Sequence, residues 1–507
     1  MKKKDLVTSF LLGGILVNPA SGLNQNDKMN VILFTADDLD RNSLGCYGSQ
    51  VPDISPNIDR FAAEGRIFDR AYVNASISAP SRAIMATGLY GHNSGVMGFM
   101  KMKEGDTNPL LMEILRENGY KVGVLSKVSH STPKRTFTWD YTIQQTDLGN
   151  GRSPSLYYKY SKAFFEECAR SGSPFYLMIN SDDPHRPYQT PDGPYRNNSE
   201  APSRLYSPDE VQVPDFVPDM PLVREELSYY FNSVKRLDDT FGKVMLALEE
   251  AGLKDNTLVI FISDNGIAIP FAKSNVYYAS NRTPWIVRWP GVVKPGTRDH
   301  LNYISEVELM PTILEALNIT GPSRLDGESH LDLYINGGQR ATKTVFTQID
   351  NKISGGPTPM RSVQNADFVY IYNPWSDGER VFINNNEGLT MRAMEAAAPF
   401  DDDIAGRVKL FRLRAPEEYY DLTTDPGCTK NLINDPAFAP DIRSAEKEMR
   451  NYMRKTHDPL LKLYKNRRRS TQITRKLFYE IFPEAVWYDE DKAKYSRKMP
   501  GSIVEEE

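Results

Sequence analysis

NVILFTADD, Asn30–Asp38, is an apolar run that ends in two acids. It reads as a buried parallel strand whose carboxyl end opens into a loop. Working outward, SPNIDRFAAEG (Ser55–Gly65) reads as a capped helix, with Ser55 at the cap, Pro56 at the first position and Gly65 at the stop. GYKVGVLSK (Gly119–Lys127), PFYLMINSDDPHRPY (Pro174–Tyr188), NTLVIFISDNG (Asn256–Gly266) and TPWIVRWPG (Thr283–Gly291) read as further strands, most of them closing on polar residues. Between them, Arg224–Gly252 is a long amphipathic helix with Leu227, Phe231, Val234, Leu237, Phe241, Val244 and Leu248 on one face. Strands alternating with helices predict an α/β fold, a large and mostly parallel sheet sandwiched by helices. From about Ala341 shorter β-like pieces (TVFTQI, FVYIYN) precede EEYYDLTTDPGCTKNL and a helix ending near THDP, which predicts a smaller C-terminal α+β subdomain.

In an open α/β sheet, ligands lie beyond the carboxyl ends of the strands. Asp37 and Asp38 end one strand there, and Asp264 and Asn265 end another. A lone acidic pair ordinarily caps or turns a chain. Two such pairs at matching strand ends offer oxygen ligands for a hard divalent cation, Ca²⁺ or Mg²⁺. His92, His130 and His185, three of the chain's six histidines, lie at element ends in this region, with Lys127 and Lys273. Fixed positive charge of this kind suits an anionic substrate such as a sulfate or phosphate.

The bulk properties are those of a globular protein: 507 residues, 40% hydrophobic, 25% charged, net charge −5. That balance argues against a nucleic-acid partner. KNRRRS (Lys465–Ser470) is a local basic cluster whose ordinary reading is a solvated helix. MKKKD, then LVTSFLLGGILV and NPASG, has the layout of a signal peptide over residues 1–22 and is too short to span a membrane. Cys46, Cys168 and Cys428 have neither metal-like spacing nor a disulfide pattern.

SISAPSRAIMATG (Ser76–Gly88) places Ser78, Pro80, Ser81 and Arg82 at the mouth of a helix. Ser78-Ala79-Pro80-Ser81-Arg82 resembles the sulfatase signature, (Cys or Ser)-x-Pro-Ser-Arg. NVILFTADD, SPNIDRFAAEG, the Lys127 region, DPHR, SDNG and EYYDLTTDP follow in that family's order, so the resemblance spans roughly Asn30 to Pro459. APSRAIMATGLYGHNSGVMG, DPHRPY, SDNGIAIPFAKSN, MRSVQ (Met360–Gln364) and THDP (Thr456–Pro459) look more closely like the N-sulfoglucosamine sulfohydrolases, or sulfamidases.

The resemblance implies an alkaline-phosphatase-like sulfatase fold, with a catalytic domain over 28–340, a C-terminal subdomain with an antiparallel sheet over 341–460, and an extension of unknown role over 461–507. It implies that Ser78 is oxidised to formylglycine (3-oxoalanine). One hydroxyl of the aldehyde hydrate would attack sulfur while the cation and Arg82 hold it. His185 would protonate the leaving group, with Lys273 near the leaving side and Lys127 spreading the sulfuryl charge. His130 would deprotonate the second hydroxyl, whose collapse expels sulfate. Asp37, Asp38, Asp264, Asn265 and residue 78 would hold the cation, with Ca²⁺ favoured. Apart from the resemblance, His92, Arg186 and Arg361 are candidates to meet the sugar or its carboxylate neighbours, with surface or structural roles the equal alternative. The expected partners are a sulfated glycosaminoglycan saccharide and a serine-type, anaerobic maturase, and the expected location is a Gram-negative periplasm.

Two positions depart from the pattern. Residue 78 is Ser, not Cys, and the family's Lys-x-His is here Lys127 and His130 with two residues between. A local bulge is expected to bring the histidine back. The competing readings are a 6-O- or 3-O-sulfatase of glucosamine, a phosphate-ester hydrolase, and a glycan-binding homologue with Ser78 unconverted.

Overall fold

The computed structural model describes residues 28–193, 199–351, 356–384 and 387–485. The expected signal peptide and the last part of the tail lie outside the described residues. Among the described residues no helix is long and apolar enough to cross a membrane.

The main sheet has eight strands: β1 (Asn30–Ala36), β2 (Arg66–Phe68), β3 (Lys121–Leu125), β4 (Tyr141–Ile143), β5 (Phe175–Asn180), β6 (Thr257–Ser263), β7 (Trp285–Arg288) and β8 (Thr297–Asp299), in the order β4-β3-β5-β1-β6-β7-β2-β8. β1 lies near the centre, parallel to both β5 and β6. All seven of its residues are buried. Its alternate side chains enter two different cores, which is why the strand reads as an unbroken apolar run. Ile32, Phe34 and Ala36 pack on one face with Val234, Phe241 and Val244. Val31 and Leu33 pack on the other with Met85, Leu111 and Met310. The stretch Thr283–Gly291 does form a strand, β7, but it runs antiparallel to β6 and to β2.

The helices that flank the site are α1 (Pro56–Ala63), α2 (Ser78–Thr87), α3 (Pro154–Ser171) and α4 (Pro221–Glu250). The seven apolar residues expected on one face of α4 are all buried. Ser55 precedes α1, yet its side chain does not cap that helix. Ser55 Oγ instead donates to Asp59 and accepts from the Gly45 amide at 2.8 Å. Asp238 of α4 takes over the cap, accepting from the Ile58 amide at 2.8 Å and the Asn57 amide at 3.3 Å. The same acceptor chemistry is thus supplied from across the fold.

A second sheet contains β9 (Val345–Asn351), β10 (Pro357–Gln364), β11 (Phe368–Tyr372) and β12 (Glu417–Asp421), antiparallel throughout. α5 (Ala439–Lys455) packs against it. Beyond α5 the chain forms two more short helices, Leu461–Lys465 and Thr471–Ile481. They bury Leu463, Tyr464, Phe478 and Phe482 in the same core as β10 and β11.

Candidate active site

Neighbouring strand ends set the site. β1 and β6 are in register up to Ala36 against Ser263, so Asp37–Asp38 and Asp264–Asn265 leave the sheet side by side. Asp38 adopts a left-handed φ of 69°, and its amide donates to Asp264 Oδ1 at 3.2 Å. α2 begins at Ser78 itself, earlier than the sequence suggested, and closes at Gly88, which has a left-handed φ of 63°. All ten residues of α2 are buried. Ser78 therefore sits at the amide-donating end of a helix, where an anion is stabilised. Ser78 Oγ donates to Asp37 Oδ1 at 3.0 Å.

Two lysines meet the acids. Lys127 Nζ lies 2.6 Å from Asp37 Oδ2 and 3.5 Å from Asp182 Oδ2. Lys273 Nζ lies 2.7 Å from Asp38 Oδ1. Burial alone would raise the Asp37 carboxyl, but Lys127, His185 and Arg82 together hold it well below the usual range. Asp38 is raised, because its burial and the Asp37 charge outweigh Lys273. Asp264 is pushed up to about 8 by burial and by Asp37, against Arg82. Three buried carboxyls held this closely repel one another.

The donor set fits a hard cation. Asn265 Nδ2 donates to Asp38 Oδ1 at 2.7 Å, while Asn265 Oδ1 is buried with no hydrogen-bond partner. Asp37 Oδ2 is met by Lys127 Nζ and its Oδ1 by the Ser78 hydroxyl. Among the described residues, Asp37, Asp38 and His185 each offer a ligand atom, all within 4.8 Å of one another. Crowded anionic oxygens and an orphaned amide oxygen are what a divalent cation would satisfy.

Arg82 does not reach toward Ser78. It is fully buried, with Nη1 on Thr35 Oγ1 at 2.5 Å and on Asn180, and Nη2 on Asp264 Oδ2 at 3.0 Å. The expectation that Arg82 holds the attacking group is corrected: it is a positioning residue that locks Asp264 to strands β1 and β5. The sequence also gave no warning of Glu306. This fully buried acid accepts from the Ser81 side chain and from the Asn74 amide, tying the start of α2 to the body of the domain. Asp182 was missed as well, although SDDPHR carries it; it takes Lys127 and the Ser126 hydroxyl.

The two histidines expected to carry protons both lie near this cluster. Ser126 and Lys127 have left-handed φ values of 54° and 45°, so the chain turns sharply at the end of β3. The Ser131 amide closes that turn on the Lys127 carbonyl at 2.9 Å. His130 is thereby carried into the field of Lys127, Arg82, Asp37 and His185, despite its longer spacing. Burial and then the charges of Lys127 and Arg82 push its imidazole down to about 3, so it is neutral, and its Nδ1 has no partner. His185 Nδ1 lies against the Arg186 carbonyl, and its Nε2 faces Asp38 Oδ2 at 3.8 Å. Burial and Lys273 hold His185 well below the usual imidazole value.

Of the three residues expected to meet the sugar, two are engaged elsewhere. Arg361 is fully buried between Asp350, at 2.8 Å, and Asp458, at 2.6 Å. His92 uses Nδ1 on Gln348 Oε1 at 2.8 Å and Nε2 on the Thr456 carbonyl at 3.1 Å. Arg361 locks β10 to β9 and to the segment after α5, and His92 ties the second sheet to the main body, which corrects their assignment to substrate. Arg186 stands beside His185, partly exposed, paired with Glu226 at 2.7 Å and stacked over the Tyr188 ring.

Comparison with known proteins points to one family. A family profile described as Sulfatase matches residues 29–319. The human N-sulphoglucosamine sulphohydrolase is 28% identical over 478 residues, covering 86% of this chain and 92% of its own length. A solved structure of a 2-O GAG sulfatase superposes with a TM-score of 0.62 at 18% identity, covering 85% of this chain and 93% of its own. Another, in complex with its substrate D-glucosamine-2-N,6-O-disulfate, superposes with a TM-score of 0.61 at 17% identity, covering 85% and 98%.

Proposed function

The chain belongs to the sulfatase family, and we propose that it removes the N-sulfate from non-reducing-end glucosamine of heparin or heparan sulfate. The observation that carries a sulfuryl-transfer site is Ser78 at the N-terminus of α2, 3.0 Å from Asp37, whose carboxylate lies in the field of Lys127, Lys273 and two histidines. The likeness to the human N-sulphoglucosamine sulphohydrolase, extending over 86% of the chain, supports the choice of sugar.

Two groups complete the chemistry. Residue 78 as formylglycine supplies a hydrated aldehyde, a far better nucleophile than an unactivated serine hydroxyl. A divalent cation, Ca²⁺ by its oxygen donors, held by Asp37, Asp38, Asp264 and Asn265, neutralises charge at the sulfuryl oxygens.

The chain's own residues do the rest. Asp37 accepts the hydrogen bond that orients residue 78. Lys127 and Lys273 present fixed positive charge to the sulfuryl group. The neutral His130, with Nδ1 unpartnered, is fitted to take a proton from residue 78. His185 lies on the Asp38 side beside Lys273, kept neutral by burial and then by Lys273; a bound sulfate anion offsets that cation and favours the protonated form, which can donate to the leaving amine. Arg186, beside His185, is the remaining candidate for the sugar. The basic and apolar leader of residues 1–22 supports export to a Gram-negative periplasm.

The test is sulfate release by protein co-expressed with a serine-type maturase. N-sulfoglucosamine should release sulfate, and N-acetylglucosamine 6-O-sulfate should not. The tryptic peptide containing residue 78 should be lighter by two hydrogens. Release from the 6-O-sulfate alone would overturn the proposed specificity, and an unconverted, inactive Ser78 would overturn the proposed chemistry.

A further inference from the structure

A strongly asymmetric charge lies on the C-terminal segment, on elements other than those that carry the strand-end cluster. Residues 439–470 hold ten Lys and Arg against four Asp and Glu, in a chain whose net charge is −5. On α5 these charges are sorted by face. The helix buries Ile442, Ala445, Glu446, Met449, Tyr452 and Met453. Arg443, Lys447, Arg450 and Arg454 recur at i, i+4, i+7 and i+11, so they form one stripe beside the buried face, and all four are exposed. Asp441 and Glu448 fall on the opposite flank. Among the described residues, none of the four meets a carboxylate.

The arginine run continues the stripe. Arg467 pairs with Glu446 at 2.8 Å, and Arg468 pairs with the same carboxylate. Glu446 lies on the edge of α5 next to the stripe, so Arg468 stands alongside it, and Arg469 and Lys465 of the same run are exposed. The surface is attached firmly to the catalytic half. At the C-terminal end of α5 the Thr456 carbonyl accepts from His92, and Tyr452 stacks on Phe346 of β9 with centroids 3.9 Å apart. Like charges at i and i+4 disfavour a helix, and of the four only Arg454, in the last turn, is favoured by the helix dipole, so the stability of α5 does not account for the rest of the stripe.

We propose that the Arg443–Lys447–Arg450–Arg454 stripe, with Arg468 and Arg469, is a docking surface for a sulfated glycosaminoglycan chain, separate from the catalytic pocket. The stripe extends about 16 Å at 1.5 Å per residue, long enough to run beside several sugars. Guanidinium groups match the geometry of sulfate oxygens and carry charge at every pH. The choice of occupant rests on the proposed glycosaminoglycan activity. The surface would retain a long chain near the site and raise its local concentration.

The test compares the whole protein with the variant R443S/K447S/R450S/R454S. A control, K103S/R170S/K243S/K294S, removes the same charge from exposed positions elsewhere. Each is run on immobilised heparin in a salt gradient and assayed on N-sulfoglucosamine and on heparan sulfate chains. The stripe variant should elute at lower salt than both the wild type and the control. Its KM for the chain should rise about fivefold, with kcat and the monosaccharide reaction unchanged. Equal elution of the variant and wild type, equal loss in the control, or equal retention on an unsulfated carboxylate polymer would overturn the proposal. Failure of the wild type to act on N-sulfoglucosamine would overturn the proposed specificity alone, since the heparin elution reads the surface independently of turnover.

Discussion

Asp37 divides its carboxylate between Ser78 and Lys127: Oδ1 accepts from Ser78 Oγ at 3.0 Å, and Oδ2 meets Lys127 Nζ at 2.6 Å. One buried acid therefore positions Ser78, the proposed nucleophile, and anchors the Lys127 ammonium. Removing the hydroxyl with Ser78→Ala should leave a folded protein, because the side chain shrinks by a single atom and Lys127 still neutralises Asp37. Sulfate release should fall to background. A variant with residual turnover above background would place the nucleophile elsewhere.

Arg82→Met should be costly to the fold as well as to activity. It leaves Asp264 buried without its cation and removes the donors to Thr35 and Asn180. Breaking a buried pair from one side costs about 3–5 kcal/mol. Urea unfolding followed by fluorescence reads this as a lower midpoint with an unchanged slope.

Chelation should inactivate the enzyme reversibly. Treatment with a calcium chelator should lower Tm and abolish sulfate release, and added Ca²⁺ should restore both. Asn265→Ala removes the orphaned Oδ1 and should raise the Ca²⁺ concentration needed for half-maximal stabilisation. Full activity in the chelator would remove the cation from the proposed chemistry.

Arg361→Met should act on stability and leave KM for N-sulfoglucosamine within about twofold. Burial would raise the Asp458 carboxyl, but Arg361 and then His92 hold it below the usual value. A depressed carboxyl contributes its full stability above about pH 3.9 and loses it as pH falls through the folded value. In the variant burial dominates, Asp458 is raised, and the stability deficit should widen as pH rises from the ordinary carboxyl value of about 3.9 toward neutrality. Thermal melts across that range check the sign. A KM effect without a stability effect would return Arg361 to the substrate.

Phe478→Ala should destabilise by about 3–4 kcal/mol, as for other buried aromatics truncated to alanine. The residue is 3% exposed, lies under the Arg380 guanidinium and packs with Phe482. An unchanged denaturation midpoint would show that the helix Thr471–Ile481 is dispensable to the core.

What the sequence determined by itself was local or repetitive. The apolar run Asn30–Ala36, doubly buried, and the seven-residue stripe on α4 each carry a period that only one kind of environment satisfies. Asp37, Asp38, Asp264 and Asn265 were legible because parallel strands in register must deliver their carboxyl ends to one edge. The family resemblance supplied Ser78 and its order among the other motifs. What only the tertiary structure decided was which partner each polar group meets. Arg82 and Arg361 are equally basic in sequence, yet each is consumed by buried carboxylates from distant segments. Ser55 yields its expected cap to Asp238, and Glu306 reaches Ser81 across 225 positions. His130 enters the site because two left-handed residues turn the chain before it. Periodicity records which side of an element is covered. A salt bridge or cap is fixed by which atoms packing brings within hydrogen-bond reach, and those atoms belong to residues that no local window contains.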